Sequence, residues 1–170
     1  DDEKVAHLEQ TYPAIAGKLI HRNFLDIDPP FSEPFTVVGN FPYNISTQIL
    51  FKLLDWGAQV EAVTGMFQKE VAERVAAPPG NKTYGVISVL IQAYYKVDYL
   101  FDVPPGAFQP PPKVMSGVIR LLPVTPPAMK SKAAFRLLVK TAFNQRRKTL
   151  RNAVKPLFLP EILADPLFDQ

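Results

Sequence analysis

The chain has 170 residues and a formal net charge of +3, a length that accommodates about one domain with a small appendage. It contains no cysteine and two histidines, His7 and His21, which excludes a disulfide framework and a thiolate metal site and argues against a catalytic metal centre. No apolar run approaches the roughly 18 residues of a membrane span, and no signal-peptide pattern opens the chain, so we expect a cytoplasmic protein with neither a metal nor a membrane partner.

The predicted elements alternate between helices and strands over most of the chain. Helices are predicted over residues 5–12, 46–56, 69–76 and 86–94, with Ser46 as the N-cap of the second. Strands are predicted over residues 18–21, 35–38, 61–67, 95–103 and 114–122. This alternation is typical of an α/β sheet with helical crossovers, and the last two strands, on either side of a proline-rich loop, indicate an antiparallel end.

The charge is distributed unevenly. Residues 126–160 carry nine lysines or arginines and no acid, whereas residues 1–125 carry ten basic and thirteen acidic side chains. After a linker at residues 123–127, an apolar helical face begins near Ser131, and a second helix is predicted over residues 146–155. We therefore expect two domains, residues 1–125 and a basic helical domain of residues 126–170. The basic block suggests a polyanionic partner; the alternative is a solvated helix face.

The sequence Asn40-Phe41-Pro42-Tyr43 follows an apolar strand and precedes a helix start. Its residue types suit the methylation of an exocyclic amine on a planar base. The N6 of adenine is a poor nucleophile because its lone pair is delocalised into the ring. Two acceptors, the Asn40 side-chain oxygen and the Pro42 carbonyl, would hold its two hydrogens and localise that lone pair, and Pro42 brings no N–H of its own. Tyr43 offers an aromatic face for stacking.

Five segments, in this order along the chain, resemble the ribosomal RNA adenine N6,N6-dimethyltransferases of the KsgA type. They are Asn40-Phe41-Pro42-Tyr43, Gln68-Lys69-Glu70-Val71-Ala72-Glu73-Arg74, Tyr84-Gly85-Val86-Ile87-Ser88, Phe108-Gln109-Pro110-Pro111-Pro112-Lys113-Val114 with Ser116 just beyond, and Phe143-Asn144-Gln145-Arg146-Arg147-Lys148-Thr149-Leu150. The resemblance implies an α/β fold with a class I S-adenosylmethionine-dependent methyltransferase (Rossmann-like) core and a small α-helical C-terminal domain. It also implies S-adenosylmethionine as the methyl donor, no metal, and a target adenine flipped into a pocket.

The resemblance assigns the catalytic roles to four residues. Asn40 and Pro42 would hold the target N6, Tyr43 would stack on the base, and Phe108 would close the other face. Direct displacement at the donor methyl needs no covalent intermediate and no general base, so alignment of the reactants would supply most of the rate.

The resemblance also assigns donor and RNA contacts. Asn23, Phe24 and Asn40 would contact the donor, and Asn23 stands where the family usually has Asp. The Asn oxygen can still accept a hydrogen bond there. Glu70 and Arg74, at helical i,i+4 spacing, are predicted to form a structural ion pair. The residues that would contact RNA are Arg146, Arg147, Lys148 and Arg151.

The sequence departs from the family at its amino end. The glycine-rich donor loop, the basic N-terminal arm and the acid that holds the donor ribose are not among the 170 residues. We therefore expect a fragment of a longer enzyme that binds the donor weakly or not at all by itself. In the family strand order 3-2-1-4-5-7-6, residues 18–21 would be strand three and residues 35–38 strand four, whose apolar edge would then be unpaired.

The leading interpretation is an enzyme that dimethylates adenine N6 in small-subunit ribosomal RNA during ribosome biogenesis. Its partners would be ribosomal RNA and the small ribosomal subunit, and the intact enzyme would be a monomer. Two alternatives stay open: a large-subunit enzyme of the resistance type, and a ribosome-assembly module that binds RNA without catalysis. The order of the downstream motifs disfavours a DNA adenine methyltransferase.

Overall fold

The computed structural model describes residues 2–15, 17–145 and 147–158. The helices are α1 Asp2–Thr11, α2 Ser46–Trp56, α3 Lys69–Ala76, α4 Val86–Gln92, α5 Lys132–Asn144 and α6 Leu150–Val154. The strands are β1 Phe35–Asn40, β2 Val60–Gln68, β3 Tyr95–Val103 and β4 Ser116–Pro123. No helix in the described ranges is both long enough and apolar enough to span a bilayer.

The four strands form one sheet in the order β1-β2-β4-β3. β1 and β2 are parallel, and β4 runs antiparallel to both of its neighbours. A parallel pair requires a crossover connection, which α2 supplies here. In the numbering of the family this order is 4-5-7-6, so the predicted strand order and the antiparallel end are confirmed for the strands present.

The core lies between this sheet and the helices. β2 is an inner strand, and Val60, Val63 and Phe67 on it are at most 1 % exposed. α2 places one apolar face against the sheet because its large residues recur at helical spacing. The residues of α2 with buried apolar side chains are Ile49, Leu50, Leu53, Leu54 and Trp56. This packing fixes the positions of β1 and β2, and with them the segment that follows β1.

Two polar side chains, the buried Ser88 and the half-buried Gln92, join α3 to α4. The hydroxyl of Ser88, which is fully buried, donates to the Arg74 carbonyl and accepts the Gly85 N–H at 3.0 Å. Gln92 Nε2 donates to two carbonyls at the end of α3, both at 2.8 Å. Part of the family resemblance around residues 84–88 is therefore explained by structure. The predicted Glu70–Arg74 ion pair is confirmed.

α5 begins at Ser131, whose hydroxyl accepts the Ala134 N–H at 3.2 Å as an N-cap. The helix buries Val139 and packs against α4. An ion pair of 2.6 Å between Arg136 and Asp55 ties it to α2. The predicted helix at this position is confirmed, whereas the domain boundary at residue 125 stays a prediction.

Three predictions of local structure are wrong. Residues 18–21 form no strand: Gly17, with a φ of 77°, closes a turn, and no described strand pairs with the segment that follows. Ser46 does not cap α2, because Ile45 holds the N-cap position and the Ser46 hydroxyl donates to the Tyr43 carbonyl. The last helix is shorter than predicted, beginning at Leu150.

β1 is an edge strand of the described sheet. Its outer side has no hydrogen-bonded neighbour there, and Val38 is 77 % exposed. An apolar, unpaired edge of this kind is a template for association with other strands. The predicted exposed edge is thus confirmed.

Candidate active site

Two facing glycines prepare the site at the carboxyl ends of β1 and β2. Gly39 lies directly opposite Gly65 in the parallel register, and the Phe41 ring covers both. A Cβ on Gly65 would lie 2.3 Å from the Phe41 ring, and one on Gly39 would lie 2.8 Å from it. Glycine in a strand often marks such a close approach. The two positions must therefore lack a side chain for Phe41 to enter the core.

Phe41 fixes the segment that leaves β1. It is 7 % exposed, its ring packs on Phe67 with centroids 5.1 Å apart, and its N–H donates to the Met66 carbonyl at 3.2 Å. The residues on either side of it in sequence, Asn40 and Pro42, are exposed. The buried Phe41 ring thus holds two hydrogen-bond acceptors at the surface, the side-chain oxygen of Asn40 and the carbonyl of Pro42.

Tyr43 is held at both ends. Its carbonyl accepts a hydrogen bond from the buried Ser46 hydroxyl at 3.1 Å. Its phenol oxygen shares a hydrogen bond with the hydroxyl of Ser116, a fully buried residue at the start of β4. The Pro42 carbonyl accepts the Ile45 N–H at 3.3 Å, which uses one of its two lone pairs. One lone pair of this carbonyl remains for a ligand.

The four residues predicted to be catalytic line one cleft. Its volume is about 310 Å³, and its walls are formed by Asn40, Phe41, Pro42, Tyr43, Phe108, Pro110 and Pro112. The cleft therefore has hydrogen-bond acceptors at one side and aromatic side chains from two separate segments. Such an arrangement can hold a flat aromatic ligand that presents hydrogen-bond donors at its edge.

A polar cluster supports the loop that carries Phe108. Asp102, near the end of β3, accepts hydrogen bonds from Lys69 at the start of α3 and from the Tyr99 hydroxyl. Tyr99 fits because Gly117, opposite Asp102 on β4, has no side chain: a Cβ there would lie 2.4 Å from the phenol oxygen. The cluster ties the strand that enters the loop to the helix that follows β2.

The same cluster perturbs the acidity of its members. The hydrogen bonds from Lys69 and then Tyr99 hold the pKa of Asp102 below its usual range. The bond to Asp102 raises the pKa of Lys69. Burial, followed by the hydrogen bond to the carboxylate, raises the pKa of Tyr99. Near neutral pH the carboxylate is therefore charged, the amine protonated and the phenol neutral.

The predicted donor-binding residues are not brought together. The Asn23 oxygen accepts the Leu25 N–H at 3.2 Å, so this side chain caps a short 3-10 turn. Phe24 packs on Trp56, which in turn packs on Phe35, with centroids 5.1 and 5.8 Å apart. Both contacts place Phe24 beside the amino end of β1, whereas Asn40 lies at the carboxyl end, about 16 Å along the strand. The described residues do not assemble a donor pocket, and the donor-binding roles stay predictions.

The predicted RNA-contacting residues lie near the end of α5 and in α6. Arg147 and Lys148 are exposed and line a second cleft together with residues 143–145. Arg151 is exposed on α6. Arg146 lies outside the described residues. No group of three or more histidines, cysteines or acids is placed to hold a metal within the ranges that the structure describes.

Sequence reasoning assigned no role to several residues that build this site. Ser116 lies just beyond a motif in the sequence, but its hydrogen-bond partner, Tyr43, lies 73 positions away. Phe41 reads as an ordinary apolar residue within the motif. The available signal was the pair of glycines, Gly39 and Gly65, each placed two residues before a phenylalanine. Spacing alone does not show that one ring covers both glycines.

Comparison with known proteins places the chain in a family. The sequence model described as "Ribosomal RNA adenine dimethylase" matches residues 2–168. Two curated relatives, both named "Ribosomal RNA small subunit methyltransferase A", come from Cytophaga hutchinsonii, with 50 % identity over the whole chain, and from Phocaeicola vulgatus, with 49 %. The chain spans 67 % and 63 % of the lengths of these relatives.

Solved structures share the fold. A dimethyladenosine transferase from Plasmodium falciparum superposes with a TM-score of 0.72 at 24 % identity, covering 91 % of this chain and 57 % of that one. The 23S rRNA methyltransferase ErmE superposes with a TM-score of 0.67 at 22 % identity, covering 95 % and 66 %. The fold is that of the class I S-adenosylmethionine-dependent methyltransferases, represented here by part of its sheet. The chain belongs to the ribosomal RNA adenine dimethylase family.

Proposed function

We propose that this chain carries the target-adenine site of an enzyme that dimethylates adenine N6 in small-subunit ribosomal RNA. The single observation that carries the proposal is the cleft at the end of β1, where Asn40, Pro42, Tyr43 and Phe108 meet. Family membership and the names of relatives about 50 % identical favour the small subunit over the large subunit as the target.

The cleft residues would hold the target base, and the donor contact predicted for Asn40 is a separate role. An adenine flipped from its stack loses a few kcal/mol of stacking and pairing, and contact with Tyr43 and Phe108 would return part of it. The Asn40 side chain and the free lone pair of the Pro42 carbonyl would accept the two N6 hydrogens. After one methyl transfer only one hydrogen remains, so one acceptor is released and the cleft must accommodate a methyl group.

The methyl donor of the family is S-adenosylmethionine, which supplies an electrophilic methyl group when bound. The described residues do not form its pocket, so the proposed activity belongs to the full-length protein. This chain alone is expected to transfer little or no methyl group. We place the full-length protein in the cytoplasm, with the small ribosomal subunit as its partner and a monomer as its active form.

The experiment is transfer of labelled methyl groups from S-adenosylmethionine to unmethylated small ribosomal subunits. The full-length protein is compared with Tyr43→Ala and with Tyr12→Ala, a matched control whose side chain is 56 % exposed and lies outside the cleft. Stacking of one base on an aromatic side chain contributes about 1–3 kcal/mol, so Tyr43→Ala should lower kcat/KM by about five- to 150-fold. Binding to the subunit should change far less.

Four results would contradict parts of the proposal. Equal methylation by Tyr43→Ala and the unmodified protein would remove Tyr43 from the reaction. Equal losses of binding and methylation would assign the residue to assembly or folding. Dimethyladenosine found only in large-subunit RNA would support the alternative target. Product from this chain alone would show that a donor site exists within it.

The basic segment has its own test. Each phosphate contact made by Arg147 or Lys148 steepens the dependence of log affinity on log salt by about 0.7 for single-stranded RNA. Single alanine substitutions at these residues should therefore make the slope shallower by about that amount. An unchanged slope would mean that both side chains are structural.

A further inference from the structure

Two clefts meet at Phe143, on the side of the molecule formed by α3, α4 and the end of α5. One has a volume of about 600 Å³ and is lined by Arg147 and Lys148, among others. The other, of about 450 Å³, is lined by Lys82 and Tyr84 of the α3–α4 connection. Because Phe143 lines both, the clefts form one continuous surface, called here the Tyr84–Phe143 surface.

The centre of this surface is aromatic and its surroundings are basic. The Tyr84 and Phe143 rings are 6.1 Å apart at 58°, and both side chains are half-buried. Among the residues that line the two clefts the acid is Glu70, and it is ion-paired with Arg74. The other charged side chains that line the two clefts, Lys82, Arg147 and Lys148, are basic. Aromatic faces flanked by cations are typical of sites for single-stranded nucleic acid.

The surface opens on the same edge of the sheet as the cleft lined by Asn40, Tyr43 and Phe108, called here the adenine cleft after its proposed ligand. α3 begins directly after β2, so Glu70 lies two residues beyond the strand end. Asn40, at the end of the parallel neighbour β1, pairs with Met66 of β2. The carboxyl ends of parallel strands lie at one edge, so an RNA strand that enters the adenine cleft can continue across the Tyr84–Phe143 surface.

We propose that the Tyr84–Phe143 surface binds an unpaired nucleotide of the RNA substrate outside the adenine cleft. Its base stacks on the aromatic pair, and the adjoining phosphates lie near the three cations. This inference rests on the proposed function for the identity of the RNA, but it concerns binding rather than methyl transfer. It adds the α3–α4 connection, with Lys82 and Tyr84, to the RNA-contacting part of the protein.

The test measures the affinity of the full-length protein for small-subunit RNA as a function of salt, together with kcat and KM for methylation. Tyr84→Leu should weaken affinity by about five- to 150-fold, the range for one stacked base, and leave the salt slope unchanged. Tyr84→Phe should bind as the unmodified protein does. Phe101→Leu is the control, since Phe101 is an aromatic residue that lies on β3 and does not line either cleft.

A charge variant keeps the test decisive if Tyr84→Leu fails to fold. Lys82→Glu should weaken binding and make the salt slope shallower, while Lys130→Glu should do neither. Lys130 precedes the other end of α5, about 20 Å from Phe143 along the helix. For both cleft variants KM should rise while kcat stays unchanged.

The outcome separates this inference from the proposed function. Binding is measured whether or not methylation occurs, so absence of methyl transfer would count against the enzyme and not against the surface. Folded Tyr84→Leu and Lys82→Glu proteins that bind RNA with unchanged affinity would overturn the surface. A lower kcat with unchanged affinity would overturn it too, because the side chains would then act at the adenine cleft.

Discussion

The hydrogen bond between Tyr43 and Ser116 is expected to fix the position of the Tyr43 ring in the proposed adenine cleft, and the cost of removing it can be predicted. Ser116 is fully buried and lies on β4, while Tyr43 is half-buried in the segment after β1. Replacing Ser116 with alanine leaves the phenol without this partner but able to reach water. The cost should therefore lie near the net value of one hydrogen bond, about 1–1.5 kcal/mol, rather than the larger penalty of a buried unsatisfied group.

If the bond positions the Tyr43 ring for stacking, the free energy lost with the bond should raise the barrier to methyl transfer by the same amount. Since about 1.4 kcal/mol corresponds to a factor of ten, Ser116→Ala should lower kcat/KM for methylation about five- to twelvefold. Tyr43→Phe removes the same bond but leaves the buried Ser116 hydroxyl without this partner, so it should cost at least as much. The double variant should cost no more than either single one, because only one bond is lost.

The assay is steady-state methyl transfer to small ribosomal subunits by the full-length protein, with thermal unfolding of each variant measured in parallel. Ser88→Ala is the matched control: this serine is equally buried, but it joins α3 to α4. It should lower Tm and leave kcat/KM of the folded enzyme unchanged. If the effects of Ser116→Ala and Tyr43→Phe add in full, the bond does not couple the two residues and this account of the cleft fails.

Three further predictions concern packing, pH and association of this chain. Gly65→Ala should destabilise the chain by about 1–3 kcal/mol in urea unfolding, because the added methyl group overpacks against the Phe41 ring. Gly106→Ala, whose added methyl group meets nothing within 4 Å, should be neutral. Equal effects of the two substitutions would contradict the packing account. Because the pKa of Asp102 is lowered in the folded state, its carboxylate contributes stability above the unfolded carboxyl pKa of about 3.9. That stability is lost as the pH falls through the pKa of the folded state. Asp102→Asn should therefore reduce the fall in Tm on acidification between roughly pH 5 and pH 2. Val38→Lys should reduce the concentration-dependent self-association of this chain, measured by sedimentation. Leu137→Lys, which also replaces an exposed aliphatic side chain with lysine but lies on α5, should not.

Local patterns in the sequence predict most of the sheet because they reflect contacts between near neighbours. β3 matches its predicted bounds, Tyr95–Val103, and α3 matches Lys69–Ala76. In both, the periodicity of apolar residues identifies the element and proline, glycine or a change of period marks its ends. The strand order came from the family resemblance, since no pattern within a strand specifies its neighbour.

The failed predictions have a common physical cause. A strand is stabilised by its hydrogen-bonded neighbour, so residues 18–21 can have a strand-like sequence and still form none when no described strand pairs with them. Ser46 could cap a helix or bond backward to a carbonyl, and only the path of residues 42–45 decides which. In each case the deciding partner is not encoded in the segment itself.

The candidate site also contains residues that the sequence identifies and a contact that only the fold determines. Asn40, Pro42 and Tyr43 are adjacent in sequence and could be identified from their chemistry. Phe108 was added by the family resemblance, and the structure places it in the same cleft. The Ser116 contact could not be predicted, because it depends on the pairing of β4 with β2.

The two halves of the proposed reaction differ in how far this chain builds them. Three supports of the proposed adenine cleft lie within the described residues: the Phe41 ring in the core, the bond from Tyr43 to Ser116, and the Asp102 cluster near the end of β3. The predicted donor contacts are separated along β1, with Phe24 at one end and Asn40 at the other. Substitutions in these supports should act on the target base, and donor affinity should depend on residues outside this cleft together with the contact predicted for Asn40.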